Sequence, residues 1–163
     1  MTGRRAYLDF NASAPLAPQA RAAMMAALDV DANASSVHGD GREARRMVEQ
    51  ARRDVAQLVG GQPEHVVFTS GATEAASMLL SPQWMMGRAP LRMARLVVCA
   101  TDHPCFLSGG RFDADMVSMV GVDADGVVDL AALEALLAGH DREQGLMLVA
   151  IHAANNETGV IQP

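Results

Sequence analysis

Leu96-Val97-Val98-Cys99-Ala100-Thr101-Asp102-His103-Pro104 reads as a buried strand running into a polar loop. An unbroken apolar run of this length fits a strand covered on both faces, as in a parallel sheet. Working outward, His65–Thr69, Met116–Val120 and Leu146–Ile151 are three further strand candidates. Helical patterns separate them. A short helix is expected from Ser70 to about Leu80. Another is capped by Asp129, carries Leu130, Leu133, Leu136 and Leu137, and stops at Gly139. Residues 81–92, with Pro82, Gly87 and Pro90, read as a loop, and Asp123–Gly126 as a turn. Strands alternating with helices imply βα units and an α/β fold with a largely parallel sheet.

Upstream, Pro18–Leu28 reads as a helix with proline in its first turn. Asp29–Asp40 is irregular and polar. From Gly41, the residues Ala44, Val48, Ala51, Val55 and Leu58 form an apolar stripe at helical spacing, ended by Gly60-Gly61.

The length of 163 residues suits one domain with a real core, and 50% hydrophobic against 20% charged residues is a globular balance. Net charge is −6 and no extended basic face is visible, which argues against nucleic acid as a partner. No window reaches membrane-span length, and Met1–Asp9 lacks the apolar run of a signal peptide, so no membrane association and a cytoplasmic location are expected. Cys99 and Cys105 form neither a disulfide framework nor a metal-ligand spacing. All 13 basic Lys+Arg residues are arginine, and the chain has no lysine.

Three polar segments carry candidate chemistry. Phe68-Thr69-Ser70-Gly71-Ala72-Thr73-Glu74 leads into a helix whose free amide groups would favour a phosphate, with the Thr73 hydroxyl adding to them. Gly71 would permit the φ > 0 or the close approach that such a turn often needs. The bland alternative is a plain cap made by Ser70 or Thr73. Thr101-Asp102-His103-Pro104 follows a strand end, where α/β sheets hold ligands, and His103 could stack on a flat ring or exchange protons. A surface loop histidine is the alternative. Asn155-Asn156-Glu157-Thr158-Gly159 also follows a strand, and its amides either bond a ligand oxygen or support a turn. Together, three such loops favour a site.

Five motifs in order then point to one family. These are Tyr7-Leu8-Asp9-Phe10-Asn11-Ala12, Asn33-Ala34-Ser35-Ser36-Val37-His38 with Gly41-Arg42-Glu43-Ala44-Arg45, Phe68–Glu74, Asp102-His103, and Asn155–Pro163. With them the chain resembles the cysteine desulfurases of the NifS/IscS type, within the class V aminotransferases that use pyridoxal 5'-phosphate (PLP). The resemblance implies the PLP-dependent aspartate-aminotransferase-like large domain of fold type I. Residues 1–40 would be an N-terminal arm and helix, and 41–163 an incomplete PLP-binding large domain. It further implies that Ala72 and Thr73 hold the cofactor phosphate, His103 stacks on the ring and moves protons, and Asn156 contacts the ring oxygen. Asn11 and Asn33 would serve the substrate, L-cysteine, whose sulfur is released to leave alanine.

The family's Schiff-base lysine, pyridinium-pairing aspartate and persulfide cysteine lie downstream of its Gln-Pro. An N-terminal portion is therefore expected, inactive alone, binding PLP noncovalently at most, and completed by a C-terminal half or as a homodimer. Cys99 is expected to be a buried small hydrophobe, and Cys105 is assigned no role. The chain departs from the family at Ala34, at Ala75-Ala76-Ser77, at Pro82 and at Ser108-Gly109-Gly110, which touches specificity more than fold. A selenocysteine lyase, another class V enzyme or a non-catalytic remnant acting by association are the alternatives.

Overall fold

The computed structural model describes residues 6–163; the first five residues, with the start of the expected arm and of the targeting-segment reading, lie outside them. The chain divides into two compact units, one ending at Phe68 and the other running from Thr69 to Pro163.

The first unit carries helix α1 (Pro18–Leu28) and helix α2 (Gly39–Val59). Proline opens α1, and none of its residues is buried. His38 caps α2 by accepting from the Gly41 amide, and Gly60 closes it in a left-handed conformation at φ 67°. Gly41 is where the motif Asn33–His38 meets the helix. A Cβ there would stand 2.4 Å from the Ser36 carbonyl oxygen and 2.9 Å from that of Asn33, so no side chain fits.

The strand expected at His65–Thr69 does not form. Pro63–His65 is a 3-10 turn, and Val66 is extended (φ −87°, ψ 124°) without a strand partner. A strand is defined by its ladder, and this segment has none. The Arg52 guanidinium instead donates to the Val66 carbonyl and lies over the Phe68 ring at 5.4 Å.

The second unit contains helix α3 (Ala72–Leu79), strand β1 (Gln83–Met86), strand β2 (Ala89–Cys99), helix α4 (Pro104–Leu107), strand β3 (Val117–Val120), helix α5 (Leu130–Ala138) and strand β4 (Leu146–Ala150). β2 is central, parallel to β3 through Leu96–Cys99 and to β4 through Met93–Val98. The α/β class and the mostly parallel sheet expected from the sequence are therefore present.

The expected loop at 81–92 is instead a hairpin, with β1 antiparallel to the start of β2 in the register Gln83↔Arg92 to Met86↔Ala89. Gly87, at φ 64°, opens its two-residue connection, where a hairpin turn favours glycine.

Alternation along β2 builds two cores. Leu96 and Val98 join Ala76, Leu80, Cys105 and Phe112 on one face. Val97 and Cys99 join Val120 and Val128 on the other, with Leu133 and Leu136 of α5 packed against them. Leu96, Val97 and Val98 are fully buried, each stabilising the fold by about 1.5–3 kcal/mol. This two-sided cover is why the quoted stretch reads as one apolar run, and why its polar residues begin where the strand ends.

Candidate functional site

β2 and β4 are parallel neighbours, so their carboxyl ends open on the same edge of the sheet. Thr101–His103 follows β2, and His152–Gly159 follows shortly after β4. Asp102 ties the two together. Only 6% exposed, it accepts from the Cys99 amide at Oδ2 (2.9 Å) and from the His152 amide at Oδ1 (3.1 Å). The same Oδ1 lies 2.7 Å from His152 Nδ1. The His152 ring packs on Phe106 with centroids 4.3 Å apart.

Asn155 makes the second tie. It is 8% exposed, and its Nδ2 donates to the Thr101 carbonyl at 2.6 Å. Its Oδ1 accepts from the Glu157 and Thr158 amides, both at 2.9 Å. Backbone bonds from Asn155 to the Val160 carbonyl and from Gly159 to the Asn155 carbonyl close the loop. Gln162 anchors it by accepting from the Val128 amide (2.8 Å) and donating to the Gly126 carbonyl (3.1 Å). The Asn-Asn-Glu-Thr-Gly stretch thus has divided labour. The first asparagine is buried framework, and the second, Asn156, is exposed, with Nδ2 donating to Glu157 Oε1 at 3.0 Å.

His103 is exposed and is the N-cap of α4. Its Nδ1 accepts from the Cys105 amide at 3.2 Å and lies 3.0 Å from Cys105 Sγ. α4 is a single turn with Ser108 as its C-cap.

The third segment is the start of α3, where Gly71 is the N-cap and no side chain caps the first turn. Neither Ser70 nor Thr73 fills the role that the bland alternative gave them. Glu74 instead reaches back, accepting from the Ser70 amide at 2.6 Å. That hydrogen bond holds the Glu74 carboxyl below its ordinary value. The expectation for Gly71 is corrected in part: at φ 169° its backbone is extended and open to any residue. What glycine does leave is room, since a Cβ there would meet nothing within 4 Å. An uncapped helix start with open space before it suits a phosphate. α3 also shares a core with α4, through Ala76 and Cys105.

Of the expected residues, His103 and Asn156 thus stand on two tied loops, and Ala72 and Thr73 begin the helix that shares a core with α4. Asn11 and Asn33 belong to the first unit. Asn11 lies in a turn where the Ala12 amide donates to Asp9 Oδ1, and Asn33 Oδ1 accepts from the Ser35 amide at 2.9 Å. Cys99 is buried, as expected, at 1% exposure. Asp102, His152, Asn155 and Gln162 were not anticipated as framework. Their signal lies in polar residues placed just past strand ends, but their partners are up to 54 residues away.

Residues 6–163 match the family described as Aminotransferase class-V. A cysteine desulfurase of Frankia sp. is 40% identical over 167 residues, covering 95% of this chain and 38% of that protein. An IscS-like cysteine desulfurase of Mycobacterium tuberculosis is 36% identical, covering 97% and 41%. Among solved structures, a NifS-like protein from Rickettsia africae superposes with a TM-score of 0.81 at 28% identity, over 96% of this chain and 41% of that one. The chain spans about 40% of the length of these relatives, with individual values of 38% and 41%.

Proposed function

The chain belongs to the class-V aminotransferase family, an enzyme family, and on that premise we propose that it is the N-terminal part of a PLP-dependent cysteine desulfurase-like enzyme. Its substrate would be L-cysteine, converted to alanine with transfer of sulfur. The observation that carries this reading is the double tie of Asp102 and Asn155, which holds the His103 and Asn156 loops together at the carboxyl ends of β2 and β4.

The residues present fit PLP. The uncapped first turn of α3, with Ala72 and Thr73, would hold its phosphate, and the open space at Gly71 leaves room for it. The exposed His103 ring would stack on the pyridine, and the Asn156 amide would meet the ring oxygen. When bound, PLP supplies the electron sink for carbanion chemistry at an amino acid. His103 Nδ1 is occupied by the Cys105 contacts, which leaves Nε2 as the ring nitrogen open toward a ligand. Asp102 and Asn155 keep both loops in register without touching the ligand. Asn11 and Asn33 are assigned to substrate recognition. Residues 1–40 are assigned to an N-terminal arm and helix, and 41–163 to the partial large domain, of a soluble, cytoplasmic enzyme.

This chain has no lysine. The anchoring amine and, by the family resemblance, the sulfur-accepting cysteine would be supplied from outside these residues, by a C-terminal polypeptide segment or within a homodimeric assembly. Co-expression with the C-terminal segment of a NifS-like relative tests the reading. Sulfide release from L-cysteine in the presence of PLP is expected only when both pieces are present. Folded, associated pieces with no sulfide release would instead make the chain a non-catalytic association module.

A further inference from the structure

Cys105 lies in the first turn of α4 and is 9% exposed. Its amide and its sulfur both approach one atom, His103 Nδ1, at 3.2 and 3.0 Å. A backbone N–H can only donate, so Nδ1 carries a lone pair in this geometry. A neutral imidazole has one ring proton, which then resides on Nε2. A sulfur beside an unprotonated nitrogen that already accepts a hydrogen bond is a thiol donor; a thiolate there would face a lone pair.

We infer that Cys105 is a positioning residue that, through its amide and thiol together, holds His103 in the Nε2–H tautomer. His103 thereby becomes a hydrogen-bond donor toward whatever its exposed edge meets. This rests on the reading of His103 as a cofactor-facing residue. It also narrows that residue's role. In this tautomer Nε2 gives a proton and does not take one. To accept at Nε2, the ring would first move its proton to Nδ1 and break both Cys105 contacts. The other cysteine makes no contact of this kind: Cys99, 1% exposed, has its sulfur 3.4 Å from Thr101 Oγ1. It is an internal reference.

The test uses the chain without added ligand. Long-range nitrogen–proton correlation spectra, recorded just above neutral pH, should show His103 with Nδ1 unprotonated and Nε2 protonated. In Cys105→Ala the Nε2–H to Nδ1–H ratio should fall about fivefold, the loss of one neutral hydrogen bond. Cys105→Ser should restore it, because the hydroxyl also donates. The infrared S–H band of Cys105 should lie below that of Cys99 and move up in His103→Ala. A wild-type Nδ1–H tautomer, or a Cys105→Ala ratio equal to wild type, would overturn the inference. Failure of PLP to bind would overturn the functional reading and leave the tautomer result standing, so the two failures are distinguishable.

Discussion

Asp102 Oδ1 and His152 Nδ1 meet at 2.7 Å across 50 residues of sequence, and the carboxylate is almost wholly buried at 3% side-chain exposure while the imidazole is 29% exposed. Two backbone amides converge on the same carboxylate. One pair therefore fixes both the exit of β2 and the loop that follows β4. His103 is the next residue after one partner, and Asn156 lies four beyond the other. Loop geometry at the candidate site is set from beneath, by the buried Asp102 carboxylate and its His152 partner.

Removing that carboxylate leaves the Cys99 and His152 amides without their acceptor. Asp102→Ala should destabilise the fold by about 3 kcal/mol. Asp102→Asn keeps one oxygen for His152 and should lose less, about 1–2 kcal/mol. Urea unfolding followed by far-UV circular dichroism measures both.

Asn155→Asp keeps the acceptor for the Glu157 and Thr158 amides and removes the donor to Thr101. A carboxylate would then face that carbonyl. A loss of about 2 kcal/mol is expected, with faster hydrogen exchange at the Glu157 and Gly159 amides as the local readout.

Gly41→Ala places a methyl group against the Ser36 and Asn33 carbonyls, at 2.4 and 2.9 Å before relaxation. The strain should cost about 1–3 kcal/mol. It should appear first as lost exchange protection at Ser36, whose amide donates to the Asn33 carbonyl.

Glu74 gives a pH signature. Its carboxyl is held below the ordinary glutamate value by the Ser70 amide. A depressed folded-state value means that the contribution is present above the unfolded-state value and is lost as pH falls through the folded-state one. A carbon NMR titration should place the Glu74 midpoint below the ordinary glutamate value. Glu74→Gln should abolish this part of the acid-side loss of stability.

Much of this architecture was legible in the residues. Proline opening α1, the stripe and closing glycine of α2, and Asp129 capping α5 all act within a turn or two, so local pattern suffices. The run Leu96–Cys99 declared a strand covered on both faces because β2 has a core on each side. Two segments misled, for opposite reasons. His65–Thr69 has strand composition but no ladder partner among the described residues, and pairing is not a local property. Residues 81–92 read as a loop because of Pro82, Gly87 and Pro90. Yet a glycine opening a two-residue connection between apolar runs is itself a hairpin signal, and Pro90 stands near the start of β2, where a missing amide is tolerated. At the candidate site, the motifs single out His103, Thr73 and Asn156 as the proposed cofactor contacts. The ties through Asp102 and Asn155 were hidden, because each role depends on a partner about fifty residues away.

The proposed cofactor half-site, made by the strand-end loops and the start of α3, would hold PLP without a lysine. Equilibrium binding of PLP to the chain, read by the change in its visible absorbance, tests this most directly. Saturable, reversible binding is expected, weakened about tenfold by Thr73→Ala and by His103→Ala. The exposed substitution Met119→Ala should leave it unchanged. Absence of saturable binding by the folded chain, or affinity indifferent to both Thr73 and His103, would contradict it.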